Sequence, residues 1–120
     1  MAERVTLKIF DIVGGPVWVS TDDGQKIFDK ITAAFKAGRS VNLSFANQQN
    51  LITAFLNAAI GQLYGGQYDE AFLKERLAFS DISEDDRAML ERAIENAKRY
   101  FANRPAYDHA WKEVVDEDEE

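Results

Sequence analysis

The chain opens on a two-residue alternation, with apolar Val5, Leu7 and Ile9 interleaved with polar Arg4, Thr6 and Lys8. That period marks a strand with one buried face. Gly14-Gly15-Pro16 then predicts a turn, and the β-prone run Val17-Trp18-Val19 predicts a short strand pairing back as a hairpin. After Ser20 the period lengthens. Ile27, Phe28, Ile31, Ala34 and Phe35 share one face of a helix, with Ser20 or Thr21 as its cap. Asp22 and Asp23 favour the positive helix end, and Gly38 suits a left-handed stop.

Alternation returns at Val41, Leu43 and Phe45, directly after that helix, so two strands are joined through a helix as a β-α-β unit. The polar linker Asn47-Gln48-Gln49-Asn50 leads into a second helical pattern through Leu51, Phe55, Ala58, Ala59, Gln62 and Leu63. Asn50 is its expected N-cap and Gly65-Gly66 its end. A short helix near residues 69–74 and a strand over Arg76–Ser80 follow. A long helix then carries Met89, Leu90, Ala93, Ile94, Ala97 and Phe101, started by a near capping box of Ser83 with Asp86. Pro105 sets off a last helical piece containing Trp111. The pattern predicts an α/β single domain: a small mixed β-sheet of at least three or four strands, covered mainly on one face by helices, plus a C-terminal helical extension.

Composition agrees with one core: 120 residues with 46% hydrophobic content suit a single domain. No apolar run approaches the ~20 residues of a membrane-spanning helix, and the alternating N-terminus lacks a signal peptide's apolar block. The expected setting is cytoplasmic, without membrane contact. The absence of cysteine excludes disulfides and thiolate zinc sites. The formal charge is −7, but Asp116, Glu117, Asp118, Glu119 and Glu120 account for all but −2 of it. Such a run repels itself and buries nothing, so a disordered acidic tail is expected. The longest basic grouping is Lys98-Arg99, too small for direct nucleic-acid binding.

Catalytic chemistry finds no constellation. His109 stands alone beside Asp108. Glu70, Glu75, Asp81, Glu84, Asp85 and Asp86 lack the spacing and central glycine of a calcium loop, and neither glycine pair is followed by the Lys-Ser/Thr of a phosphate loop. The expectation is a non-enzymatic domain without metal or cofactor. Asn47, Gln48, Gln49 and Asn50 form the candidate recognition surface, because amides both donate and accept and the loop follows the central strand.

Three stretches resemble the STAS-like family of unknown function, related to the sulfate transporter and anti-sigma-factor antagonist fold. They are DGQKIFDKI at 23–31, LSFANQQNLITAFLNAAIGQLY at 43–64 and RLAFSDISEDDRAMLERAI at 76–94, within a resemblance spanning roughly residues 4–98. The resemblance implies a STAS-like domain over residues 1–102, beside the helical extension over 103–115 and the acidic tail at 116–120 read from the residues themselves. It also implies a regulatory role: docking a partner protein such as a histidine-kinase-like ATPase, another signalling protein or a mobile-element protein. In the antagonist branch a Ser at the start of the helix after the central strand is phosphorylated, and Thr53 lies nearest that position. There the antagonists have an Asp before their Ser, where this chain has Ile52, and the family usually has an acidic residue where Ser44 stands. Partner binding is therefore expected at residues 47–50 and Thr53, with Thr53 the candidate phosphosite. Two other readings stand beside it: a small-ligand or nucleotide-binding module in the same crevice, and a phage-type acidic inhibitor mimicking nucleic acid. An exposed strand edge or the C-terminal aromatic helix offers a route to a homodimer.

Overall fold

The computed structural model describes residues 3–103. Strand β1 (Arg4–Lys8) is followed by helix α1 (Ile9–Val13), strand β2 (Val17–Trp18), helix α2 (Thr21–Lys36) and strand β3 (Ser40–Ser44). Strand β4 (Asn50–Leu51), helix α3 (Thr53–Ala59), a 3₁₀ turn (Gly61–Tyr64), helix α4 (Glu70–Arg76), strand β5 (Leu77–Ser80) and helix α5 (Glu84–Asn103) complete the order.

The main sheet runs β1-β3-β5, with β3 in the middle. Its register aligns Val5, Val41 and Leu77 in one row and Leu7, Leu43 and Phe79 in the next. Those rows form the apolar face, and Ile27, Ile31 and Phe35 of α2, Phe55 and Leu56 of α3 and Leu73 of α4 join them in one core. Helix α5 closes it with Leu90 and Ala93 and packs on α3 and the 3₁₀ turn. The opposite face is polar. Arg4, Thr6 and Lys8 are exposed, and the Asn42 amide donates to Thr6 Oγ1 at 3.5 Å and Ser80 Oγ at 3.1 Å. The α/β class and the one-sided helical cover thus follow the sequence reading.

The strand pairing does not. The expected mixed sheet is parallel in all three strand pairs among the described residues, because long helix-bearing connections separate the partners and turn each strand back in the same direction. The expected hairpin is absent: Val17-Trp18 pairs not with β1 but with Asn50-Leu51, in a separate two-stranded parallel ribbon. Each crossover of the main sheet contributes one strand to this ribbon. Ile9, expected in β1, begins α1, whose left-handed end at Gly14 (φ 94°) turns the chain toward β2.

Local signals fared better. Ser20 Oγ accepts from the Asp23 amide at 3.0 Å and caps α2, and Ser83 Oγ accepts from Asp86 at 3.1 Å before α5. At the end of α2, Gly38 (φ 79°) lets the Arg39 amide reach back to Ala34 O at 3.0 Å. The helix expected over residues 51–63 is shorter and broken. It starts at Thr53, because Asn50, its expected cap, is held in β4, and it passes at Ile60 into the 3₁₀ turn. The expected helical extension, with His109 and Trp111, and the acidic tail lie outside the described residues.

Candidate docking site

The loop after β3 begins from a fixed point. Ser44, 2% exposed, donates through Oγ to Asp81 Oδ2 at 2.8 Å and accepts from the Ala46 amide at 3.3 Å. The Phe45 amide donates to Ser80 O at 2.9 Å, so the ends of β3 and β5 are tied together. Asn47 (φ 67°) and Asp81 (φ 55°) are left-handed, a conformation that Asn and Asp adopt at lower cost than most other residues with a Cβ. Asn47 thereby reverses the chain toward the ribbon.

The ribbon fixes the far end of the loop. Amides of Gln49 and Asn50 both donate to Pro16 O, at 2.9 and 3.2 Å, and the Ile52 amide donates to Trp18 O at 3.3 Å. Trp18 anchors the inner face. It is fully buried, stacks on Phe55 at 5.9 Å, meets Phe45 edge-on at 5.8 Å and donates from Nε1 to Gly15 O at 2.8 Å. Leu51, its register partner, is buried beside it.

Alternation then forces the neighbours outward. Val17 is 47% exposed and Ile52 41%, both large apolar side chains open to solvent. Asn47, Gln49 and Asn50 are exposed around them, while Gln48, Val19 and Thr53 are half-buried. Four of the five residues expected to bind a partner therefore lie in the ribbon and the loop that feeds it, and the fifth, Thr53, opens α3. Thr53 follows an N-cap, Ile52, that offers no side-chain acceptor. Val17 and Ile52 escaped the sequence reading. A signal for them exists, since neither Ile12–Thr21 nor Ser40–Tyr68 contains a charged residue in a chain that is 29% charged. Both ribbon strands come from those two stretches.

Among the described residues no group of three or more His, Asp or Glu side chains is placed to hold a metal ion. No helix there is long and apolar enough to cross a membrane. Elsewhere the Lys98 ammonium donates to Glu70 Oε2 at 2.6 Å, which holds that carboxyl below its usual range and raises Lys98. Burial raises the neighbouring Tyr64 hydroxyl.

Fold and site define a small α/β domain with a helix-backed parallel sheet and an uncharged ribbon at the end of its central strand. A family model described as a STAS-like domain of unknown function (DUF4325) matches residues 23–87, from the first turn of α2 to the first turn of α5. The chain belongs to this STAS-like family. No curated protein and no solved structure matches it.

Proposed function

We propose that this chain is a non-catalytic regulatory domain that docks a partner protein through the loop at Asn47–Asn50, the outer face of the β2–β4 ribbon and the start of α3. The observation that carries this reading is the exposure of Val17 and Ile52 on a ribbon and loop drawn from two sequence stretches that contain no charged residue. Depletion of charge at the centre of a patch, with apolar anchors and adaptable amides around it, is what separates protein interfaces from ordinary surface. The STAS relationship supports the partner class, a histidine-kinase-like ATPase or another signalling or mobile-element protein. Docking by this surface does not require Thr53 to be phosphorylated, since its contacts are apolar and amide-based.

Affinity capture with the full chain tests this, comparing wild type with N47A/Q48A/Q49A and Ile52→Glu. A protein recovered by wild type should fall at least tenfold with both variants, and the same loss should appear with that protein purified. Equal recovery by all three baits would remove the loop and ribbon from the function. Thr53→Ala should bind as wild type does.

A further inference from the structure

A second surface lies at the other end of the sheet from the ribbon. Helix α4 leads into β5 at Leu77, which pairs with Val41 near the start of β3, whereas the ribbon follows the end of β3. Tyr68, just before α4, stacks on Phe72 with ring centres 5.5 Å apart, and the Arg76 guanidinium lies 5.2 Å over Phe72. All three side chains are half-buried. Both rings meet Phe35 edge-on at 5.2 Å, at the end of α2, where the exposed Lys36 and Arg39 follow, and Lys74 is exposed on α4. We propose that this aromatic and basic face binds the chain's own C-terminal segment, residues 107–120.

Position is the first reason. The last turns of α5 lie against the 3₁₀ turn and the start of α4: Phe101 packs on Tyr64, and the Lys98 ammonium donates to Glu70 Oε2 at 2.6 Å. The described chain therefore ends at Asn103 beside the residues where this face begins. From Tyr68 to Arg76 the face runs about 12 Å at helical rise, while residues 104–115 span at most roughly 40 Å, so the acidic run at 116–120 is within reach of its far end. Charge is the second. Residues 104–120 hold seven acidic residues against Arg104 and Lys112, and Lys36, Arg39, Lys74 and Arg76 supply the opposite sign. The acids beside the face leave those cations available: Glu70 is held by Lys98, and the 3.7 Å contacts of Glu75 with Arg76 and of Glu3 with Arg39 are exposed pairs that exchange at little cost. An acidic run gains nothing from the uncharged ribbon. Apolar matching is the third. Tyr107, Trp111, Val114 and Val115 recur at i, i+4, i+7 and i+8 beside the acidic run, and Tyr68, Phe72 and Arg76 offer rings and a guanidinium to them. The segment is joined to its site, so a surface far smaller than a stable interface between separate molecules suffices.

A nitroxide on the full chain tests the contact, because the sequence has no cysteine and Glu120→Cys gives one labelling site. Paramagnetic broadening of backbone amide signals should be strongest over Tyr68–Arg76 and Lys36–Arg39, unchanged on tenfold dilution, and weaker at high salt. Neutralising the run with D116N/E117Q/D118N/E119Q, which alters no residue of the folded body, should remove most of that broadening. Reversing the exposed lysines with K36E/K74E should do the same, with circular dichroism like wild type. Broadening that is absent, strongest at the ribbon, or unaffected by neutralising the run overturns the proposal. So does broadening that falls in proportion to dilution, which would give the face to the segment of another molecule. None of these outcomes bears on docking by the ribbon, which uses the other end of the sheet.

Discussion

Gly24 shows how much one missing side chain decides. It is buried in α2 where α3 crosses, and a Cβ there would sit 2.6 Å from Phe55 O and 2.7 Å from Ala58 Cβ. On an open helix surface Gly→Ala stabilises by about 1 kcal/mol through propensity. Here the obstruction includes backbone, so α2 and α3 must separate and the sign reverses. Gly24→Ala should cost about 1–3 kcal/mol by urea denaturation, as overpacking does; a rise in stability would show that the crossing relaxes freely. Ser44→Ala would leave the half-buried Ala46 amide without that acceptor and free Asp81 from β3, a loss of about 1–2 kcal/mol. Sequence alone could place Ser44 in a strand, but its bond to Asp81 joins residues far apart in the chain.

At the scale of elements, the ribbon is held to the core by Trp18 and Leu51, of which Trp18 is the larger. Trp18→Ala removes its stacking on Phe55 and its edge contact with Phe45, and should destabilise by about 3–5 kcal/mol. Docking, tested at a temperature where this variant remains folded, should weaken with it, because the inner anchor holds the outer face in register. Helix ends were legible because capping is local. Ser20 and Ser83 each bond an amide three residues on, and Ser20→Ala should lose about 1 kcal/mol in thermal melts. The break at Ile60 was not legible, since apolar spacing is nearly the same on both sides of it.

For the whole molecule, the Lys98–Glu70 bond links α5 to α4 across the surface. Glu70 titrates lower in the fold, so its contribution is present above the ordinary carboxylate range and lost as pH falls below it. Lys98 and Tyr64 titrate higher in the fold, so theirs is complete below the ordinary range near pH ~10 and lost as pH rises through the raised values. The difference in melting temperature between wild type and Glu70→Gln should therefore be greatest near neutral pH and shrink toward both extremes. The pair is exposed enough that salt should reduce it as well. A difference independent of pH would mean that Glu70 acts through packing.

What the sequence determined by itself was whatever has a short-range cause. Alternation marked β1 and β3, helical spacing marked α2 and α5, serines and Gly38 marked helix ends, and three motifs indicated the STAS-like family. Tertiary structure decided which strands pair. Val17-Trp18 and Asn50-Leu51 are too short to show a period and lie more than thirty residues apart, so nothing local distinguishes their parallel ribbon from a hairpin to β1. Only that pairing buries Trp18 and Leu51, and in doing so it turns Val17 and Ile52 outward beside the amide loop. The loop was visible as polar sequence; its apolar centre exists only because two distant dipeptides bury their alternate side chains in one core.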